Sequence, residues 1–266
     1  MKTLSNKVAV VTGAGHPKGI GRAIALKLAQ QGASVVVTDL ASAKDDLAAA
    51  VEQLKEAGVD ALAVVVDITN KEDIHGGVKQ VLERFGQLDI LVNNAGVGLG
   101  SSDFLELSDQ DWNLSFQVNV KGMADFCQAV IPVMEKQKGG SIINIASLAG
   151  LGAIESIPAC YTATKFAAIG LTKQLAMNYA KKNIRCNAVC PGSVVTQMHK
   201  ATLDFIAQQH GISIEEAQAL EDANIPLGYS AQPGVVGDTV AFLASPDANY
   251  MTGVALPVAG GMSPGI

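Results

Sequence analysis

The chain has 266 residues, of which 48% are hydrophobic and 17% charged, and its formal net charge is −6 at pH 7. This composition supplies the core of one large α/β domain or two small ones and excludes a disordered chain. The acidic balance and the lack of a basic run argue against nucleic acid as a partner. No apolar run reaches membrane-spanning length, and residues 1–6 are too short and polar for a signal peptide, so we expect a cytoplasmic protein.

The four cysteines, Cys127, Cys160, Cys186 and Cys190, are scattered along the chain. The closest pair, Cys186 and Cys190, has three residues between its members and no His or Asp nearby. Metal sites and disulfides require other spacings or an oxidising compartment. We therefore predict buried thiols and no metal site.

A glycine-rich turn follows the first predicted strand. Residues 7–12 form a β-branched run typical of a strand covered on both faces, and residues 22–29 have helical periodicity. Between a strand and a helix, glycines let the backbone approach a pyrophosphate, and the helix N-terminus offers it free N–H groups. The turn therefore predicts a dinucleotide site that contains Gly13, Gly15, Lys18, Gly19, Ile20 and Gly21.

Acidic residues follow the next two predicted strands, residues 34–38 and 61–66. Asp39 can accept hydrogen bonds from the adenosine ribose of NAD and would repel the extra phosphate of NADP. Lys18 is a conflicting signal, because a cation beside the turn could meet that phosphate. We predict NAD. Asp67 either bonds the adenine amine or caps the helix that starts near Lys71, and Ile68 is placed beside the same cofactor.

Small and amide residues end the fourth predicted strand, residues 88–92. They can line the cofactor crevice while their side chains tie neighbouring strand ends together. The predicted cofactor residues here are Asn93, Ala95 and Gly96. Residues 111–134 then have a helical pattern that Asn119 interrupts, so Asn119 either bends the helix or lies on its surface.

Tyr161 and Lys165 are four residues apart in a helix predicted after Pro158. They therefore share one helix face, and the ammonium group beside the phenol would stabilise the phenolate form that a base requires. A short motif of this kind also arises by chance, with the lysine on a solvated face.

A turn after the strand predicted at residues 184–190 is expected to pass close to the nicotinamide, through Pro191, Gly192, Val194 and Thr196. Residues 197–229 follow as two short helices divided at Gly211, with a capping box of Ser213 and Glu216. This insert is either a substrate lid or a pair of ordinary packing helices.

The alternation of strands and helices predicts an α/β fold over residues 1–266, as one domain. We expect a Rossmann-type, doubly wound, mostly parallel sheet of seven strands with helices on both faces. Ligands of such sheets bind outside the carboxyl ends of the strands, where all of these motifs fall.

The ordered set of motifs resembles the short-chain dehydrogenase/reductase family across nearly the whole chain. The matching residues are Thr12 and Gly13 through to Gly21, Asp67, Asn93 to Gly96, Asn119, Ser147, Tyr161, Lys165, Pro191 and Gly192. The resemblance implies a catalytic tetrad of Asn119, Ser147, Tyr161 and Lys165. It also implies a homotetramer formed through the helices at residues 111–134 and 161–182.

The tetrad roles that the resemblance implies are distinct. Tyr161 would exchange the proton of the substrate hydroxyl, and Ser147 would hydrogen-bond the same oxygen. Lys165 would support the phenolate and bind the nicotinamide ribose, while Asn119 would support a water-linked proton relay. Such acid–base chemistry accompanies hydride transfer to or from the nicotinamide.

The sequence departs from the family pattern at two places near the site. Five residues separate Gly13 from Gly19, which makes the glycine turn two residues longer than is usual in the family. Ser147 also precedes Tyr161 by one residue more than is usual. The loop between them therefore gives no basis for transferring a substrate pocket from the family.

Within the family, the insert and residues 245–253 look most like polyol, sugar-alcohol and butanediol dehydrogenases. We therefore expect an NAD-dependent oxidoreductase that interconverts a secondary alcohol of a small polyol, sugar or diol and its ketone. The alternatives are an NADPH-dependent 3-oxoacyl or other carbonyl reductase and a non-catalytic nucleotide-binding regulator. The polar residues predicted nearest the substrate are Glu155, Ser156, Gln197 and His199.

Overall fold

The computed structural model describes residues 2–155 and 157–263, and within them it contains one parallel seven-stranded sheet. The strands lie in the order β3-β2-β1-β4-β5-β6-β7. Their bounds are β1 Val8–Thr12, β2 Ser34–Asp39, β3 Ala61–Val65, β4 Ile90–Asn93, β5 Gly140–Ile145, β6 Ile184–Pro191 and β7 Ala255–Val258. The order reverses between β1 and β4, so the predicted doubly wound topology is confirmed.

Helices connect the strands and cover the sheet. They are α1 Ile20–Gln30, α2 Lys44–Glu56, α3 Lys71–Phe85, α4 Asp109–Phe116, α5 Met123–Gln137, α6 Ala159–Tyr179, α7 Gln197–His210, α8 Ile214–Ala223 and α9 Pro233–Ala244. No helix of the described residues is long and apolar enough to cross a membrane.

Both faces of the sheet are buried. Ala9 and Val11 of β1 belong to the core on the side of α1, α2 and α9, whereas Val8 and Val10 belong to the core on the side of α3 and α5. Successive side chains of a strand point to opposite faces, so a strand between two helical layers is apolar at every position. This arrangement explains the unalternating runs that predicted the strands.

The helix predicted at residues 111–134 is divided into three parts. α4 ends at Phe116, a π-helical segment covers Gln117–Gly122, and α5 continues to Gln137. Asn119 lies in the π-helical segment and is buried, so the alternative that placed it on the helix surface is wrong. Single π-helical turns within α-helices are frequent at functional sites.

Two capping predictions have opposite outcomes. The capping box of Ser213 and Glu216 at the start of α8 is confirmed. Asp67 does not cap α3, because the side chain of Asn70 accepts the hydrogen bond from the backbone of Glu72. Asp67 instead accepts hydrogen bonds from the N–H and the hydroxyl of Thr69.

All four cysteines are free and buried, which confirms the prediction of buried thiols. Burial raises the pKa of Cys127 to about 12 and that of Cys190 to about 11. Buried thiols with high pKa values are poor nucleophiles and poor metal ligands.

Candidate active site

The glycine turn packs closely against the end of β4. Gly13 has a φ of +63°, and a Cβ atom there would lie 2.7 Å from the Cα atom of Ala95. A Cβ atom at Gly21, in the first turn of α1, would lie 2.4 Å from the carbonyl oxygen of Gly13. Neither position accepts a side chain, so the turn presents bare backbone at the carboxyl edge of the sheet.

Arg22 supports the turn from inside the protein. Its side chain is 1% exposed and donates hydrogen bonds to the carbonyl oxygens of Ala14 and Gly15 and to Gln53. Burial lowers the pKa of Arg22, and the charge of Asp46 opposes this shift. The sequence analysis did not identify this residue, although its place directly after Gly21 is a signal that could have found it.

The start of α1 suits an anion. Gly19 precedes the helix and provides no capping side chain. Lys27 lies in the last turn, where its positive charge complements the negative end of the helix dipole. The first N–H groups of a helix have no partner within the helix, and they attract phosphate together with the positive dipole end. The residues present therefore fit the pyrophosphate of a dinucleotide.

Asp39 is held beside the glycine turn at the end of β2. Its Oδ2 accepts a hydrogen bond of 2.8 Å from the backbone N–H of Gly15, and its Oδ1 accepts one of 2.9 Å from Leu40. Lys18 is exposed, and within the described residues no ion pair joins it to Asp39. The fixed group at this corner of the crevice is therefore a carboxylate.

Two asparagines and a threonine join the ends of three strands, as predicted. Asn94 donates to the carbonyl oxygens of Thr12 and Gly13, each at 2.9 Å, and Thr12 Oγ1 accepts from the N–H groups of Asn94 and Ala95. Asn93 donates to Asn144 Oδ1 at 2.9 Å. The side chain of Asn93 thus faces β5, and its cofactor contact stays a prediction.

Lys165 and Tyr161 meet beside the end of β5. Lys165 is only 5% exposed, although it carries a charge, and its Nζ donates to the carbonyl oxygen of Ile145 at 3.0 Å. The same Nζ lies 5.3 Å from the centre of the Tyr161 ring. A Cβ atom at Gly96 would lie 3.6 Å from this Nζ and 3.1 Å from Asn119 Oδ1. The structure therefore brings Tyr161, Lys165 and Asn119 together at the end of β4.

Asn119 holds the backbone that follows Gly96. Its Oδ1 accepts from Val97 N at 2.8 Å, and its Nδ2 donates to Val97 O at 2.9 Å and to Thr164 Oγ1 at 3.1 Å. The amide group therefore already has protein partners on both its oxygen and its nitrogen. The water-linked relay remains a prediction.

Ser147 lies directly beyond β5 with its hydroxyl oriented by the chain. Its Oγ accepts a hydrogen bond of 3.1 Å from Ala149 N, which leaves the hydroxyl proton for another acceptor. Burial raises the pKa of Cys190, and the backbone N–H of Ser147 and the charge of Lys165 oppose this rise.

The side chains at the start of α7 contact different parts of the protein. Thr196 caps the helix, and Gln197 Oε1 lies 2.8 Å from His16 Nε2 in the glycine turn. A Cβ atom at Gly98 would lie 3.6 Å from Met198 Sδ and 3.7 Å from the Tyr161 ring. Met198 and Tyr161 therefore both lie beside Gly98. Sequence reasoning missed Met198 and Gly98 because neither carries a polar signal.

His199, the third residue of α7, is buried. Its Nε2 lies 2.7 Å from Glu221 Oε2 in α8 and 3.2 Å from Ser193 Oγ. These contacts join α7, α8 and the loop after β6, and the substrate contact of His199 stays a prediction. Glu155 is exposed, and Ser156 lies outside the described residues.

The residues after β6 form a supported loop. Gly192 N donates to Val258 O at 3.0 Å, and Val194 is buried and forms a bridge with Ala231. Pro191 is the last residue of β6. The loop that we predict to face the nicotinamide is thus fixed by β7 and by the segment before α9.

A doubly wound parallel sheet, a glycine turn before α1 and an adjacent Tyr–Lys pair define a dinucleotide-dependent dehydrogenase class. Residues 13–263 match the family model described as enoyl-(acyl carrier protein) reductase, and related structures share the fold. The chain belongs to the short-chain dehydrogenase/reductase family. It is an oxidoreductase of the NAD(P)-dependent type that acts on CH–OH groups.

Three relatives illustrate the range of the family. The chain is 38% identical to 3-oxoacyl-(acyl-carrier-protein) reductase FabG of Staphylococcus aureus, over 96% of this chain and 98% of the relative. It is 32% identical to NAD+-bound xylitol dehydrogenase, over 97% of this chain and 99% of that one, with a TM-score of 0.89. It is 33% identical to L-sorbose reductase of Gluconobacter frateurii in complex with NADPH and L-sorbose, over 98% of each chain, with a TM-score of 0.90.

We predict that Arg22→Lys loosens the glycine turn. Lysine keeps the charge but loses the planar fork that reaches several acceptors. Hydrogen bonds from charged groups contribute about 1.5–3 kcal/mol each, so we expect a loss of stability of at least that size in urea unfolding. We also expect weaker NADH binding in a fluorescence titration.

Arg84→Lys is the matched control, because Arg84 pairs with Asp60 on the exposed surface of α3. An exposed pair contributes about 0–1 kcal/mol. Equal effects of the two substitutions on unfolding and on NADH binding would contradict the role of Arg22.

Proposed function

We propose that the protein is an NAD-dependent dehydrogenase that interconverts a secondary alcohol of a small polyol, sugar or diol and its ketone. The observation that carries the cofactor choice is the Asp39 carboxylate, which the N–H groups of Gly15 and Leu40 fix at the end of β2. Its free lone pairs suit ribose hydroxyls, and its charge opposes a 2′-phosphate.

The cofactor would lie along the carboxyl edge of the sheet. The turn from Gly13 to Gly21 and the start of α1 would hold the pyrophosphate, with Gly15, Lys18, Gly19 and Ile20 in the same turn. Asp67 and Ile68 would border the adenine, and Gly96 would border the middle of the dinucleotide. Lys165 would bind the nicotinamide ribose, and the residues after β6 would face the nicotinamide.

In this proposal the tetrad binds the substrate oxygen and transfers its proton. Ser147 donates its free hydroxyl proton to the substrate oxygen and orients it, while Tyr161 accepts the proton that this oxygen loses on oxidation. Lys165 acts together with Tyr161 in this proposal, because its buried Nζ lies 5.3 Å from the centre of the Tyr161 ring. Bound NAD supplies the acceptor for the hydride. In the reverse direction Tyr161 returns the proton to the new alcohol.

A 3-oxoacyl reductase that uses NADPH is the second candidate. The relationship to FabG favours it. The two structural relatives favour polyol and sugar substrates, and L-sorbose reductase combines such a substrate with NADPH. Substrate class and cofactor choice therefore have to be tested separately. The non-catalytic regulator receives no support from these relatives.

Three further expectations belong to this proposal. The insert at residues 197–229 is proposed as a substrate lid, since Met198 at its start and Tyr161 both lie beside Gly98. A homotetramer is proposed because α6 exposes apolar side chains, with Phe166 47% and Met177 80% exposed. A cytoplasmic location stays a prediction from the sequence.

We predict that a substrate panel with NAD separates the two candidate activities. Xylitol, sorbitol and butane-2,3-diol should be oxidised with kcat/KM values at least about 10-fold above the value for 3-hydroxybutyryl thioesters, because two structural relatives are named for xylitol and L-sorbose. Initial rates from NADH formation measure this ratio. Preferred turnover of the thioesters would refute the polyol assignment and support the second candidate.

We predict that Asp39→Ser shifts the cofactor preference toward NADP. Removing the carboxylate removes both the ribose acceptor and the repulsion of the 2′-phosphate, so the ratio of kcat/KM for NAD to that for NADP should fall by about 10- to 100-fold, or 1.4–2.8 kcal/mol. Asp45→Ser, on the exposed start of α2, is the charge-matched control. A wild-type enzyme that strongly prefers NADP would overturn the assignment of Asp39.

We predict that Tyr161→Phe removes turnover and leaves cofactor binding nearly intact. The phenol contributes general acid–base catalysis, so kcat should fall by at least about 10²- to 10⁴-fold. NADH titration should give a dissociation constant close to that of the wild type. Tyr179→Phe is the control, because Tyr179 lies on the same helix with Lys182 Nζ 5.3 Å from its ring. Comparable losses in both variants would contradict the mechanism.

A further inference from the structure

One hydrogen bond connects two walls of the proposed cofactor crevice. His16 follows β1, Gln197 follows β6, and His16 Nε2 lies 2.8 Å from Gln197 Oε1. The strands β4 and β5 lie between β1 and β6 in the sheet. At about 4.8 Å per strand, the two loops start roughly 14 Å apart, so they must lean toward each other over the intervening strand ends.

Those strand ends carry the proposed site. Gly96 follows β4, Ser147 follows β5, and the Lys165 ammonium group donates to the last residue of β5. His16 and Gln197 are both exposed, so their bond lies on the outer side of this edge. The contact thus crosses the sheet edge at which doubly wound proteins bind dinucleotides. The inference rests on the cofactor site proposed above and is independent of the substrate.

Both ends of the contact are anchored. Arg22 donates hydrogen bonds to carbonyl oxygens of the glycine turn and so holds the turn in place. The contact of His199 with Glu221 holds the first turn of α7 against α8. A bond between two supported loops resists their separation, whereas a bond between mobile side chains would not. Opening the crevice therefore requires breaking the contact between His16 and Gln197.

The imidazole is arranged to donate. Its Nδ1 accepts a hydrogen bond of 3.2 Å from the backbone N–H of Lys18, so this nitrogen carries no proton. Nε2 then carries the proton and donates it to the Gln197 amide oxygen. His16 belongs to the lengthened part of the glycine turn. The longer turn therefore places a hydrogen-bond donor within reach of α7.

We propose that His16 and Gln197 form a latch across the crevice that slows release of the bound dinucleotide. The latch makes no contact with the reacting atoms, so its effect is on cofactor exchange. Cofactor dissociation must break it, and an enzyme whose turnover depends on product release would gain speed and lose affinity without it.

The test is a double-mutant cycle on the NADH release rate. His16→Phe keeps a planar ring, Gln197→Met keeps the side-chain length, and each removes the bond. Stopped-flow displacement of NADH by excess NAD should show release roughly 2- to 12-fold faster in each single variant, the range for one hydrogen bond. The double variant should be no faster than the faster single variant, because both substitutions remove the same contact.

Two variants control the interpretation. Gln197→Glu keeps an acceptor oxygen and should release NADH no faster than the wild type. Gln208→Met changes an exposed glutamine on the same helix and should not alter release. Wild-type release rates in His16→Phe and Gln197→Met, or effects that multiply in the double variant, would overturn the latch.

A further variant separates failure of the latch from failure of the cofactor site. Gly21→Ala places a Cβ atom 2.4 Å from Gly13 O and should abolish NADH binding if the turn holds the pyrophosphate. NADH binding by Gly21→Ala at wild-type affinity would overturn the cofactor site and the latch with it. Lost binding in Gly21→Ala with unchanged release in the latch variants would overturn the latch alone.

Discussion

The hydrogen bonds that join the ends of β1, β4 and β5 are the constraint on which the site depends. Asn94 bonds the carbonyl oxygens of Thr12 and Gly13, and Asn93 bonds Asn144. These bonds bring the glycine turn against Ala95 so closely that only glycine fits at position 13. The same junction places Gly96 beside Lys165, so the glycine turn and the pair of Tyr161 and Lys165 share one scaffold.

Periodicity was sufficient to predict the sheet and most helices, because a strand with helices on both faces is apolar at every position. It failed where one side chain redirects the backbone. Asn119 lies in a π-helical segment whose hydrogen bonds depend on the facing Val97 backbone, and no local pattern in the sequence encodes that contact. Similarly, Asn70 and Asp67 both precede α3, and only the backbone geometry decides which of them caps it.

The candidate site shows the same division between local and long-range information. Tyr161 and Lys165 share a helix, so their spacing alone predicted that they would meet. Arg22 bonds Gln53 as well as the neighbouring turn, and the contact between His16 and Gln197 spans 181 residues, so local spacing predicts neither contact. The position of His199 led to its prediction as a substrate residue, but the position did not reveal its contact with Glu221, which forms because α8 packs against α7. Polar character in a loop does not reveal the direction of a side chain.

Lys165 links the fold to the chemistry. A buried ammonium group has a high desolvation cost unless its three N–H groups find acceptors. Within the described residues, the carbonyl oxygen of Ile145 is its one hydrogen-bond acceptor, and the Tyr161 ring covers another side. The remaining N–H groups therefore lie where Gly96 leaves room, at the end of β4. A ribose hydroxyl would satisfy them there, so cofactor binding would complete the solvation of a charge that the fold has already removed from water.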